Sequence, residues 1–244
     1  MKQGIFTLTE NTPLTASVYR MRLTGDTGAI TAPGQFVNIR LDGLYLRRPI
    51  SVCDVEGGCL TLIYKTVGRG TQQMAAMRAG ERLDLLTGLG NGYDTAVSGE
   101  RPLLLGGGVG VPPLYLLARR LIAQGKQVSA VLGFNTEAEV FYENEFRALG
   151  CDVAVTTADG SHGVRGFVTD ALPADYSYVY TCGPEPMLRA VHRACATGGQ
   201  FSFEERMGCG FGACMGCSCK TVAGYKRICK DGPVLRKEEI LWDA

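Results

Sequence analysis

Four cysteines near the C-terminus have types and spacing that could do chemistry. Cys209, Cys214 and Cys217 run as C-x4-C-x2-C, and Cys229 follows after eleven further residues. Thiolates are soft ligands suited to iron–sulfur clusters or zinc. The x4–x2 spacing with a distant fourth cysteine is the plant-type [2Fe–2S] pattern. Zinc ribbons favour two C-x2-C pairs, and only one is present here. The intervening GFGA leaves room for backbone N–H groups to approach sulfur and offset the thiolate charge. Cys219 could replace Cys217 only by turning x2 into x4, so it reads as a bystander. Zinc and free thiols remain the competing readings.

A second chemical feature is the glycine turn Gly106-Gly107-Gly108-Val109-Gly110, followed by Val111-Pro112-Pro113. Between a strand and a helix, such a turn offers free N–H groups to a pyrophosphate. It is not a full G-x-G-x-x-G, and no Lys-Ser/Thr follows, which excludes a phosphate-binding Walker loop. A purely structural tight turn is the plain alternative. Cys182-Gly183-Pro184-Glu185-Pro186-Met187 also follows a strand and opens a helix. Two such loops at strand carboxyl ends of one open sheet would line one crevice. Cys182 is either a small core residue or faces a reactive ring.

A third candidate is Leu46-Arg47-Arg48-Pro49-Ile50-Ser51, an extended segment in which an arginine could pair a phosphate bidentately. The alternative is an edge strand with exposed charges. Gly68-Arg69-Gly70-Thr71 precedes a short helix expected over Gln72–Arg78, with Thr71 as its N-cap.

The elements that must position these residues fall into three stretches. Residues 1–98 show short β-rich runs punctuated by glycine and proline, as in a small antiparallel barrel or sandwich. Residues 99–207 alternate strands and helices: LLL, PPLYLLARRLIAQ, VSAVLGF, EVFYENEFRAL, DVAVTTA, FVTDAL, YSYVYTCG, EPMLRAVHRAC and FSFEERM. That alternation predicts parallel βαβ units. Residues 208–244 exchange aliphatic residues for glycine and cysteine, and cannot build a core alone.

Composition narrows the classes. Lys+Arg is 25 against Asp+Glu 24, so a nucleic-acid footprint is not supported. Hydrophobic residues at 45% exclude wholesale disorder. The uncharged run Pro102–Ala118 approaches membrane-spanning length, but GGG and PP break it into strand, turn and helix. The N-terminus lacks the pattern of a signal peptide. Ten cysteines then point to metal or catalysis in a reducing cytoplasm rather than to disulfides.

RPIS, IYKTVGRGT, GGGVGVPP, CGPEPM and the cysteine loop, in this order, resemble the ferredoxin reductase-like flavoprotein superfamily. Within it the chain is similar to the electron-transfer subunits of dihydroorotate dehydrogenase B, over essentially its whole length. The resemblance implies a flavin-binding antiparallel β-barrel over 1–98, a doubly wound parallel-sheet dinucleotide domain over 99–207 and a small [2Fe–2S] subdomain over 208–244. It implies FAD on Arg48, Pro49, Ile50, Ser51, Ile63, Tyr64, Lys65, Gly70 and Thr71. It implies NAD across Gly106, Gly107, Gly108, Gly110, Cys182, Gly183, Pro184 and Met187, and the cluster on Cys209, Cys214, Cys217 and Cys229. No acid–base residue is required for hydride and electron transfer; the only histidines are His162 and His192. Glu137 and Glu139, with no nearby base after VSAVLGF, favour NAD over NADP.

With no (β/α)₈ barrel, the chain has no evident place to oxidise dihydroorotate. The resemblance therefore implies a partner: an FMN-containing dihydroorotate dehydrogenase catalytic subunit, in a heterotetramer serving pyrimidine biosynthesis. Electrons would run from dihydroorotate to FMN, the cluster, FAD and NAD. Competing readings are a reductase subunit of another complex, such as a hydrogenase or sulfide-reducing system, a redox-sensing module and a zinc-stapled binding domain.

Overall fold

The computed structural model describes residues 1–242; the last two residues of the tail, 243–244, lie outside the described residues. Six antiparallel strands close a barrel in the order β1-β2-β5-β4-β3-β6. They are β1 (Lys2–Pro13), β2 (Val18–Thr24), β3 (Phe36–Ile39), β4 (Arg48–Glu56), β5 (Cys59–Lys65) and β6 (Arg82–Leu89). Alternation drives the closure: on β6, Leu83 and Leu85 turn inward while Arg82 faces solvent. With Phe6, Leu8, Met21, Leu23, Leu60 and Leu62 they fill the interior. Helix α1 (Arg69–Ala76) caps this core through fully buried Met74.

The second unit is a seven-stranded sheet in the order β10-β9-β8-β7-β11-β12-β15. It comprises β7 (Pro102–Gly107), β8 (Ser129–Phe134), β9 (Asp152–Thr157), β10 (Val164–Arg165), β11 (Tyr178–Cys182) and β12 (Gly199–Ser202), with α2 (Pro112–Ala123), α3 (Glu143–Leu149) and α4 (Glu185–Ala194). Strand β7 is buried at every position, as a central parallel strand must be. The run Pro102–Ala118 is strand, turn and helix start, as its interruptions predict. Among the described residues no helix is long and apolar enough to cross a membrane.

The tail carries the hairpin β13 (Ser218–Thr221) and β14 (Gly224–Arg227), the single turn α5 (Ile228–Asp231) and β15 (Val234–Arg236). Strand β15 returns to the large sheet and pairs antiparallel with β12, Phe201 opposite Leu235. Val234, Leu235 and Ile228 thereby join the core of the second unit, which the tail could not replace by itself.

Several boundaries differ from the sequence pattern. Helix α1 begins at Arg69, so Gly68 is its N-cap and Thr71 sits a turn inside. The Thr71 hydroxyl accepts from the amides of Val67 (2.9 Å) and Gly68 (3.2 Å). The EVFYENEFRAL stretch is helical only over Glu143–Leu149, because Tyr142 adopts a left-handed φ of 66°. Residues Val168–Ala171 form a 3₁₀ turn, and the FSFEERM strand stops at Ser202.

Candidate functional site: a barrel gap, a sheet crevice and a cysteine loop

The barrel has a gap beside the Arg48–Ser51 segment. The β4–β5 ladder runs from Glu56 opposite Cys59 to Val52 opposite Leu62 and ends there. Residues Arg48, Pro49, Ile50 and Ser51 instead pair on their other side with β3, from Ile39 to Phe36. Their edge facing Ile63, Tyr64 and Lys65 is left without a ladder partner. Such unpaired strand edges present free backbone donors and acceptors. Arg48 closes the far end: its guanidinium lies on Gly70, where a Cβ would collide with Nε.

The two arginines of this segment separate. Arg47 is committed to the barrel: its guanidinium donates to Asp84 Oδ1 (3.1 Å), Oδ2 (3.0 Å) and the Asp84 carbonyl. Arg48 reaches only backbone carbonyls, of Leu46 and Arg47, and is the one at the gap. The Tyr64 ring is buried, stacked on Tyr19, and its hydroxyl donates to Asn11 Oδ1 (3.0 Å). What Tyr64 can offer a ligand is therefore its backbone.

The glycine turn and the CGPEPM loop lie side by side. Strands β7 and β11 are parallel neighbours, Gly106 opposite Cys182. From β7 the chain moves first to β8 on one side, and later returns to β11 on the other. The two loops thus leave the sheet at its topological switch point, where open α/β sheets bind ligands. Gly110 packs so closely on the Cys182 carbonyl that a Cβ would collide with it. Gly107 and Gly183 pack on Met187, and Pro184 adjoins Gly107. Gly106 packs on Val111 and Leu114. Gly108 is different: it has a φ of +51° and nothing within 4 Å of a Cβ. Gly106, Gly107 and Gly110 thus leave no room for a side chain, while Gly108 faces open space.

Cys182 is a core residue, 5% exposed. Burial, then the Glu204 carboxylate, pushes its thiol up to about 12, so it stays neutral. Gly108 and Val109 share a cleft with Lys65, Ser17 and Glu139. The glycine turn therefore lies against the Lys65 end of β5, at one end of the barrel gap. The two units are latched by helix α2, where Arg119 donates to the Val55 carbonyl (2.6 Å) and pairs with Asp54 (2.8 Å).

The four cysteines form two pairs. The Cys209 sulfur accepts from the amides of Ala213 (3.2 Å) and Cys214 (3.4 Å), and the Cys214 sulfur accepts from the Cys209 amide (3.4 Å). The Cys217 sulfur accepts from the Cys229 amide (3.4 Å). The pairs face each other, since the Gly212 amide is directed at Cys229. Burial alone would raise the Cys209 thiol, but the amides of Phe211, Cys214 and Ala213 outweigh it and bring it down to about 6. The Cys229 thiol is raised by burial and by the adjacent Cys217. Among the described residues no three His, Cys, Asp or Glu side chains stand as a closed metal-binding group. The donor set nonetheless fits an iron–sulfur cluster: four thiols, with a backbone amide aimed at each sulfur.

Cys217 and Cys229 are buried and Cys214 is exposed, so one edge of this site faces the protein and the other faces out. The eleven residues between Cys217 and Cys229 include the whole β13–β14 hairpin. Cys219 lies on β13 and, with Glu205 and Lys220, lines a cavity of about 460 Å³ that Gly183, Pro184 and Glu185 of the CGPEPM loop also line. Burial, then Glu205 and Cys217, raises its thiol.

Sequence reasoning missed Asn38. This residue of β3 is buried, and its Nδ2 donates to the Cys209 carbonyl (3.2 Å). No local motif marks an asparagine in a four-residue strand. The two histidines lie elsewhere: His162 contacts Glu143 (2.9 Å) and His192 packs on Phe201 and Trp242.

Comparison with known proteins agrees with this geometry. A family model described as the iron-sulfur cluster binding domain of dihydroorotate dehydrogenase B matches residues 204–241, and an oxidoreductase NAD-binding domain matches residues 104–193. The chain is 44% identical over 256 aligned positions to the electron transfer subunit of dihydroorotate dehydrogenase B (NAD(+)) of Shouchella clausii (strain KSM-K16), covering 98% of each chain. It is 42% identical to the corresponding subunit of Geobacillus sp. (strain WCH70), covering 99% of each. A solved structure of an NADH-dependent reduced ferredoxin-NADP oxidoreductase superposes with a TM-score of 0.88 at 28% identity, over 98% of this chain and 90% of that one. By the identity and coverage of these relatives, the chain belongs to the family of dihydroorotate dehydrogenase B (NAD(+)) electron transfer subunits.

Proposed function

We propose that this chain carries electrons between NAD and an FMN-containing catalytic subunit that oxidises dihydroorotate to orotate in pyrimidine biosynthesis. The supporting observation is convergence: the glycine turn lies against Lys65 at one end of the barrel gap, and the cysteine loop is bonded to the strand beside that gap. FAD, when bound, exchanges a hydride with NAD and single electrons with a [2Fe–2S] cluster, which is the chemistry that a two-electron donor and a one-electron carrier need between them. The residues of this chain bind and align these groups.

Arg48 and the first-turn amides of α1, at Arg69 and Gly70, hold the anionic part of FAD, with Thr71 fixing the entry to that helix through the Val67 and Gly68 amides. The free edges of Pro49, Ile50, Ser51, Ile63, Tyr64 and Lys65 accept its polar atoms. Gly108 leaves the crevice open for the dinucleotide, and Gly106, Gly107, Gly110, Cys182, Gly183, Pro184 and Met187 shape its walls. Cys209, Cys214, Cys217 and Cys229 hold the cluster. Residues 1–98, 99–207 and 208–244 thus serve flavin, dinucleotide and cluster in turn. Glu139 borders the crevice, and its carboxylate disfavours a 2′-phosphate. All ten cysteines are unpaired, which supports a reducing, cytoplasmic setting.

The test uses the chain alone and with its partner. Alone, it should oxidise NADH with an artificial acceptor and leave dihydroorotate untouched. With the FMN subunit, dihydroorotate should reduce NAD. Dihydroorotate turnover by the isolated chain would overturn the division of labour. A second reading, a reductase subunit of another complex, has support in the ferredoxin-NADP oxidoreductase likeness. Failure of the FMN subunit to couple, with NADH oxidation intact, would favour it.

A further inference from the structure

We propose that Asn38 is a positioning residue for electron transfer, tying the cysteine loop at Cys209 to the barrel strand that borders the flavin gap. The inference rests on the functional reading above and deepens it. Its Nδ2 donates to the Cys209 carbonyl at 3.2 Å. Its ladder partner on β4 is Pro49, within the segment assigned to FAD. One side chain therefore links the two places where the cofactors belong.

The contact is close on both sides. Gly210, with a φ of +79°, lies directly on the carboxamide, and a Cβ there would collide with Nδ2. The Cys209 carbonyl belongs to the rigid peptide plane that joins Cys209 to Gly210. Holding that carbonyl sets the plane from which the loop turns to aim the Ala213 and Cys214 amides at the Cys209 sulfur. Hydrogen bonds to sulfur and solvent exposure set the potential of such a cluster, and groups behind the ligands tune metal retention.

Asn38 is 1% exposed, and its Oδ1 has no hydrogen-bond partner among the described residues. A leucine would fill the same interior with no orphaned carbonyl. Turning the amide over would set Oδ1 against the Cys209 oxygen, so the orientation is fixed by the bond. The polar side chain costs the barrel stability and benefits only the loop.

The test uses the full chain, purified without oxygen, with Asn38→Leu and Asn38→Asp. The aspartate keeps the volume and, once ionised at alkaline pH, sets a repelling oxygen against the Cys209 carbonyl, so it remains informative there if the leucine variant does not fold. Cluster loss to a chelator should accelerate about tenfold, as for other residues behind metal ligands. The electron paramagnetic resonance signal of the reduced cluster should shift. NADH-driven flavin bleaching should change less than twofold while cluster reduction slows about tenfold. Gly210→Ala, pressing on the same contact from the loop side, should reproduce the chelator and resonance effects. Unchanged resonance and chelator resistance in folded variants would overturn the proposal. Absence of iron from the wild-type chain would overturn the functional reading beneath it.

Discussion

At the scale of residues, the thiol positions could be read from spacing, but their surroundings could not. The spacing set Cys219 apart from Cys217 by counting; in the fold the two differ by environment. Cys217 is buried and accepts the Cys229 amide, whereas Cys219 lines, with Glu205, the cavity bordered by the CGPEPM loop. Cys217→Ser should therefore abolish the cluster absorption, and Cys219→Ser should retain iron and sulfide in full, both read by metal analysis. The reverse outcome would reassign the ligand. The paired arginines show what spacing cannot resolve. Nothing local distinguishes Arg47 from Arg48, and only the long-range approach of Asp84 takes Arg47 out of the ligand site. Asn38 was illegible for the same reason, since its partner lies 171 residues away.

At the scale of elements, the binding places are gaps left by pairing rules. The β4–β5 ladder stops at Val52 and Leu62, and the order of the parallel strands reverses between β7 and β11. Strand and helix existence was legible from period and punctuation. The start of α1 was not, because Gly68 caps it while a better capping residue, Thr71, sits inside the first turn. The return of β15 to the sheet edge also escaped the pattern, since three residues carry no period. Gly108 offers the cleanest test of the crevice. Gly108→Ala adds a methyl in open space at a positive φ, so KM for NADH should rise about tenfold while Tm falls by only a few degrees. An unchanged KM would place the dinucleotide elsewhere. Barrel closure near the flavin segment has its own signature. Burial would raise the Asp84 carboxyl, but hydrogen bonds from Arg47 and Gln3 outweigh it and hold the group below the usual carboxylate range. A depressed folded pKa contributes stability above the unfolded value of about 3.9 and loses it as pH falls through the folded one. Asp84→Asn should lower Tm by a few degrees at pH 7, and the difference should close below about pH 4.

At the scale of the whole molecule, three weak local signals become one arrangement because the units are latched together. Arg119 of α2 holds β4, Asn38 of β3 holds the cysteine loop, and the tail closes the sheet through β15. The outward edge of the cysteine loop at Cys214 is flanked by exposed Phe211 and Met215. The central claim is that one chain holds a flavin and an iron–sulfur cluster in electronic contact with NAD. The most direct measurement is the visible spectrum, iron and acid-labile sulfide content of the chain purified without oxygen, followed as NADH is added. The account predicts one flavin per chain, with two irons and two sulfides, and NADH bleaching of both flavin and cluster bands. Zinc in place of iron, or a flavin that NADH does not bleach, would contradict it.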